Sequence, residues 1–302
     1  DYIFLTFLAG NDFVLSLPFL KIKKNALGKI INIYQEIKDN FDEYLIIYDF
    51  RKDKKPKINV EFLKKIYEKS YEKEDEWMKK DIQNEVDKYL NGYMDERQKE
   101  FESKLSEYDK IKNRFTHTHI ASPHHPLYEI YQEEIRKLDY NKDYDVWRND
   151  YYEHFLGVKS EKDSNIIDLC TENYLESLYF TLNYYFVGCP SWSWHYKFRV
   201  APLLGDVFNY LENNIKNIDK FNNFKLDKPF TPFQQLLFIL PPQNDHILPE
   251  VLRSIMTDDS IGMTQYYPES IRIDAAFGGK TMYSEAILPE IEDDHLRNII
   301  EK

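Results

Sequence analysis

Phe4-Leu5-Thr6-Phe7-Leu8-Ala9-Gly10-Asn11-Asp12-Phe13, continuing to Leu17-Pro18, is the stretch on which the reading of this sequence turns. From Tyr2 to Leu8 it is almost unbroken apolar residue, and it ends on Ala9-Gly10-Asn11-Asp12. Such a run reads as a buried segment, strand or helix, that delivers a polar turn at its C-terminal end. A carboxylate placed there stands at the rim of whatever site lies above. Asp12 therefore has two readings: an Asx turn or helix cap, as most loop aspartates serve, or a metal ligand. Pro18 stops any helix that would run through the turn.

Downstream, Ala26, Ile30, Ile33, Tyr34 and Ile37 recur at helical spacing. Tyr44-Leu-Ile-Ile-Tyr48 is a short extended run, followed by a basic stretch from Arg51 to Lys57. Asn59 is placed to cap a helix with Glu61 in its first turn and Phe62, Leu63 and Ile66 on its buried face. Residues 72 to 112 are densely charged, yet Met78, Ile82, Val86, Leu90, Met94, Phe101, Leu105 and Tyr108 keep spacings of three, four or seven. That pattern predicts a long amphipathic helix with a narrow apolar stripe lying on the main body. His117, His119, His124 and His125 follow in a stretch broken by Pro123 and Pro126; with no Cys nearby and no zinc-site spacing, they read as a connecting loop.

The second half begins with the aromatic helix Val146-Trp-Arg-Asn-Asp-Tyr-Tyr-Glu-His-Phe155 and a further one from Tyr174 to Phe186. Pro229 to Leu240 opens on proline turns and becomes an apolar helix, with Thr231, Gln234 and Gln235 as helix-start and packing residues. Ile271–Ile273 and Met282–Ile287, separated by Gly278-Gly279, predict a hairpin. Gly278-Gly-Lys-Thr281 lacks the first glycine of a phosphate loop. Asp258-Asp259 and Asp293-Asp294 read as solvated charges.

Tyr (24) and Phe (20) far outnumber Gly (9), which supplies a core and argues against a loop-rich or repeat β architecture. A net charge of −12 is the wrong sign for a generic nucleic-acid binder but leaves room for a nuclease with a local basic groove and a carboxylate metal site. Cys170 and Cys189 form no metal spacing and fit a reducing compartment. No apolar run reaches membrane-spanning length. Asp1 to Leu8 lacks the basic flank of a signal peptide and reads as the continuation of something longer.

Three segments together carry a resemblance. They are Phe4 to Phe13 with Leu17-Pro18; Gly188-Cys-Pro-Ser-Trp-Ser-Trp194 with Ala201-Pro202 and Asp206; and Lys228-Pro-Phe-Thr-Pro-Phe-Gln-Gln-Leu-Leu237, Leu240-Pro241, Met256-Thr-Asp258 and Tyr267-Pro-Glu269. In this order, with Val146-Trp-Arg and Tyr174-Leu-Glu-Ser-Leu178, they resemble the XRN-type (XRN/Rat) 5′→3′ exoribonucleases, over the C-terminal part of the catalytic core. The resemblance covers nearly the whole chain and is weakest between residues 70 and 140.

The resemblance implies a mainly α chain with a few short strands, part of a larger α/β 5′→3′ exonuclease core. Residues 1–70 would end the nuclease active-site lobe. Residues 71–127 would form the charged helix and His-rich connection, and 128–302 the helical second conserved region. It implies processive hydrolysis of 5′-monophosphorylated single-stranded RNA to nucleoside monophosphates, in RNA degradation and mRNA decay, by two Mg²⁺ or Mn²⁺ ions. Asp12 would be both catalytic and metal-binding, since in the family and in related flap endonucleases this acidic position looks like the last metal ligand. One carboxylate cannot hold two ions, so the N-terminal half of the core, in cis or in trans, is an expected partner and this chain alone is expected to be inactive. The face beside Ala9 to Leu17 would then be apolar. Trp192 and Trp194 are the RNA-binding candidates, because flat rings hold any base. The setting implied is intracellular, cytoplasmic ahead of nuclear, with no membrane partner. The alternative is a non-catalytic RNA-binding or scaffold module derived from the same core.

Overall fold

In the computed structural model of the chain, the apolar run that opens the sequence is a helix, α1 (Tyr2–Phe7). Phe4, Leu5 and Phe7 are buried on it, while Tyr2 and Ile3 face outward. The structure describes residues 1–49, 51–52, 55–80, 144–159, 164–268, 270–274 and 285–289. The histidine connection, the charged helix from residue 81 onward, the Gly278-Gly279 turn and Asp293-Asp294 lie outside these residues. Two compact units result: residues 1–87 with 140–227, and 88–139 with 228–302.

In the first unit, α1 is followed by α2 (Ala26–Ile37), whose buried residues are the five predicted by spacing. Then come β1 (Ile46–Ile47), β2 (Lys57–Ile58) and α3 (Val60–Tyr71). β1 and β2 pair antiparallel, Ile46 opposite Ile58 and Ile47 opposite Lys57. Asn59 caps α3 as expected: its side-chain oxygen accepts from Phe62 N at 3.1 Å, which satisfies one of the four free N–H groups of the first turn. Among the described residues of this unit, three further α-helices follow: α4 (Tyr144–Leu156), α5 (Ser164–Phe186) and α6 (Leu204–Asn214). α5 starts ten residues before the stretch predicted from its aromatics, because Ile167, Cys170, Thr171, Tyr174 and Leu178 already share one buried face. α6 packs against α3, α5 and the helical turn after it. At Gly205 the approach is so close that an added Cβ would lie 2.6 Å from the Tyr71 ring.

The second unit has α7 (Pro232–Ile239) and α8 (Glu250–Thr257), joined by a 3₁₀ turn. Thr231 and Gln234 form a full capping box, which is the helix-start role read from sequence. Leu237, Leu248, Ile255, Met256, Met263 and Tyr267 make a small separate core, and the Tyr267 hydroxyl donates to Leu237 O at 2.8 Å. The predicted hairpin is present: β3 (Arg272–Asp274) pairs antiparallel with β4 (Glu285–Ile287). Asp258 and Asp259 are not merely solvated. Asp258 accepts from Ser260 N at 2.9 Å, and Asp259 accepts from Thr264 Oγ1 at 2.6 Å, so both organise a 3₁₀ turn. The chain is thus mainly helical, and its described strands are short.

Candidate functional site

The Gly10-Asn11-Asp12 turn is locked from both sides. Gly10 has φ of 92°, and an added Cβ would lie 2.8 Å from Ser16 N, so only glycine fits where the chain folds back. The Asn11 side-chain oxygen accepts from Phe13 N and Val14 N at 2.9 Å each, while Asn11 N donates to Val14 O at 2.8 Å. The Asx-turn role is therefore filled by Asn11, the neighbour of the residue for which it was considered. Asp12 itself is exposed at the tip, and its carboxylate makes no hydrogen bond or ion pair among the described residues.

Phe13 fixes the far side of the turn. Its ring lies 5.2 Å from Phe180 and 4.7 Å from Tyr184, both on the last turns of α5. Phe7 meets Tyr185 at 5.1 Å. The face beside the turn is apolar: Leu15, Tyr184 and Tyr185 are all exposed.

The same α5 residues hold the second candidate. Trp194 stacks on Phe180 at 4.4 Å with the planes 20° apart, and meets Phe224 edge-on at 5.9 Å. Trp192 is half exposed. The backbone bends at 192–193 rather than forming a strand, so the two indoles take different roles: Trp194 packs down and Trp192 reaches solvent. Asp227 fixes the bend, accepting from Trp192 N, Ser193 N and Ser193 Oγ. Burial alone would raise this carboxyl, but the Ser193 and Trp192 donors outweigh it and hold the group below the ordinary Asp value. The anchoring therefore persists above the usual carboxylate range and fails only as pH falls through the depressed value. In Asp227→Ala, hydrogen exchange at the Trp192 and Ser193 amides should speed up about tenfold, the equivalent of one charge-assisted hydrogen bond, with α6 amides unchanged.

Arg148 and Asp206, recognised only as parts of a pattern, prove to be one contact. Arg148 Nε and Nη2 donate to Asp206 at 3.2 and 2.5 Å, and the Tyr152 hydroxyl donates to the same carboxylate at 2.7 Å. Trp147 lies 5.2 Å from Phe19, just past Pro18, and Tyr151 Oη donates to Ala201 O at 2.8 Å. Val146-Trp-Arg, Ala201-Pro202 and Asp206 thus interlock and support the opening segment from below.

Glu74 was missed by sequence reasoning. It is fully buried and accepts from Leu204 N at 2.8 Å, from Gly205 N at 2.9 Å and from the Tyr144 hydroxyl at 2.6 Å. It caps the start of α6 from a distant part of the chain, where the helix dipole favours a carboxylate. Burial nevertheless pushes it up to about 7, against the pull of these donors. The signal was there: Glu74 is four residues before Met78 and so continues the apolar stripe.

Among the described residues no group of three or more His, Cys, Asp or Glu side chains could hold a metal ion. Asp12 offers one oxygen ligand, and a hard dication needs several. The described residues do not make a metal site by themselves. Lys197 and His195 are exposed beside the Trp bend. No described helix is long and apolar enough to cross a membrane.

Comparison with known proteins bears on these motifs. The chain is 31% identical over 194 residues to 5′-3′ exoribonuclease 1 of Saccharomyces cerevisiae, covering 64% of this chain and 12% of the yeast protein. It is 39% identical over 160 residues to 5′-3′ exoribonuclease 2 of Debaryomyces hansenii, covering 52% of this chain and 15% of that protein. Human 5′-3′ exoribonuclease 1 aligns with 100% of the chain at 27% identity over 329 residues, 18% of its own length. The chain spans less than a fifth of each of these relatives. The family described as the Xrn1 helical domain matches residues 1–302, from the Asp12 turn through both compact units. On this match over its full length, the chain belongs to the Xrn1 helical domain family.

Proposed function

We propose that this chain is part of a 5′→3′ exoribonuclease that hydrolyses 5′-monophosphorylated single-stranded RNA processively to nucleoside monophosphates. The observation that carries this reading is the exposed, unengaged Asp12 carboxylate on a turn that Gly10 and Asn11 already hold. A structural aspartate would be using its oxygens; this one is presented outward. Residues 1–70 would close an active-site lobe whose other carboxylates come from outside the described residues. The N-terminal half of the core, in cis or in trans, would cover the apolar face around Leu15 and Tyr185. Two divalent ions, Mg²⁺ or Mn²⁺, would supply the activated water and neutralise the phosphate. Asp12 contributes one ligand to that set, and the chain alone is inactive. Trp192 offers its free ring to a base, with Trp194 and Asp227 as its support. The protein would work inside the cell, in cytoplasm ahead of nucleus, in RNA turnover.

The test is substrate discrimination by the full-length protein with Mg²⁺. A 5′-monophosphate RNA should be consumed to mononucleotides at least about tenfold faster than its 5′-hydroxyl counterpart, which lacks the charged end group. Equal rates on both, or release of internal fragments, would refute the proposed substrate and polarity.

A further inference from the structure

Asn11 holds the turn with only one end of its carboxamide. Its Oδ1 accepts from Phe13 N and Val14 N at 2.9 Å each. An amide nitrogen cannot accept from an N–H, so these two contacts fix which end of the group is oxygen. The group is planar, and its nitrogen faces away from the two backbone amides that the oxygen meets. Nδ2 carries two N–H donors, and among the described residues they have no hydrogen-bond partner. The side chain is half-buried, so these donors are held at the surface rather than swinging freely over it.

The backbone beneath is fixed as well. Asn11 N donates to Val14 O at 2.8 Å, and Gly10, with φ of 92°, has no room for a side chain beside Ser16. Asp12 comes next, exposed, with its carboxylate unengaged among the described residues. A donor and a carboxylate thus stand on neighbouring residues of one rigid turn, and neither is spent on the other.

The donor is what asparagine adds to this turn. An aspartate would close the same Asx turn, and its charged oxygen would accept from the two backbone amides more strongly than a neutral one does. The turn alone therefore has no use for Nδ2. A site for RNA does. A carboxylate repels a phosphate. A neutral amide N–H beside it donates to phosphate oxygens, a common protein contact to a nucleic-acid backbone. A donor already locked in place also needs no reorganisation to make that contact.

We infer that Asn11 Nδ2 donates to a non-bridging oxygen of the first internucleotide phosphate of the RNA, the linkage that release of a mononucleotide breaks. The choice of that linkage rests on the proposed function. A single fixed group engages one of the two non-bridging oxygens and not the other, so the contact is stereospecific.

The test measures binding to the full-length protein with metal chelated, so that no turnover occurs and no ion touches the phosphate. The probes are 5′-monophosphate oligouridylates whose first linkage carries sulfur in place of either non-bridging oxygen, as separate diastereomers. Sulfur is a weak acceptor. One diastereomer should bind the parent about fivefold more weakly than the all-oxygen strand, part of the worth of a hydrogen bond to a charged group, and the other should bind as the all-oxygen strand does. Asn11→Asp keeps both accepting contacts of the turn, and Asn11→Ser offers a shorter neutral acceptor. Neither carries the amide donor, and each should bind the two diastereomers alike. Equal affinity of the parent for both diastereomers would overturn the inference, even if neither variant folds. A difference that persists in either variant would overturn it too, since another group would be its source. If Asp12→Asn keeps full turnover, the catalytic reading fails by itself, while the diastereomer comparison still decides Asn11.

Discussion

Asp12→Asn should leave the fold intact and lower RNA turnover by at least about a hundredfold. The fold should survive because nothing among the described residues depends on the Asp12 carboxylate: Gly10 and Asn11 make the turn, and Phe13 docks it on α5. Turnover should fall because an amide keeps the shape but not the charge. Hard divalent ions take carboxylate oxygens far better than neutral ones, and even a change outside the ligand set of a metal site costs about 10–100-fold. The measurement is the single-turnover rate on 5′-monophosphate RNA beside a thermal melt. A variant that cleaves like the parent would remove Asp12 from the site and favour the non-catalytic scaffold reading. A variant with a collapsed melt would show that the turn's carboxylate is structural after all.

Glu74→Ala should strongly destabilise the first unit. It strips partners from Leu204 N, Gly205 N and the Tyr144 hydroxyl in a fully buried place. An orphaned buried donor costs about 1–3 kcal/mol, and relief of the carboxyl's own burial offsets part of that. A net loss on the order of 3 kcal/mol follows, which lowers the melting temperature by roughly 6–12 °C for a unit of this size. Glu74→Gln should fall between, since one amide oxygen can still serve a single backbone donor. The pH dependence has a definite sign. Glu74 titrates near 7 when folded and near 4.5 when free, so between these values the folded chain holds the extra proton. Its contribution is fully present below about 4.5 and is lost as pH rises through about 7. The stability difference between parent and Gln variant should therefore shrink across that window. A flat difference would mean that Glu74 stays ionised throughout, with Tyr144 and the α6 amides overcoming its burial.

Much of this was legible before any coordinates. Spacing alone found α2, and the Asn59 cap and the Thr231–Gln234 box were readable because caps are local chemistry. What escaped reading was long-range. Nothing near Asp206 announces that Arg148 will reach it, nor near Glu74 that α6 will start beneath it. A one-dimensional pattern shows which face of an element is buried but not which partner lies there. Trp192 and Trp194 were inseparable on paper because only an extended backbone puts both rings on one face, and the sequence did not fix the backbone there. The Asp227 bend, made from 35 residues away, is what separates them. Asp12 was readable as a position; that Asn11 frees it was not, since either residue could have closed the turn.

Phe180 touches both Phe13, next to Asp12, and Trp194, two residues on from Trp192. On the proposed function, the cutting point and the base grip are therefore mounted on one block and do not stroke past each other. Any advance along the RNA then falls to the strand, slipping forward by diffusion over a fixed anvil after each bond is severed. The length of a step would be set by the spacing of nucleotides rather than by the travel of a hinge. Mutations that soften the protein elsewhere should then change how often it advances, not how far.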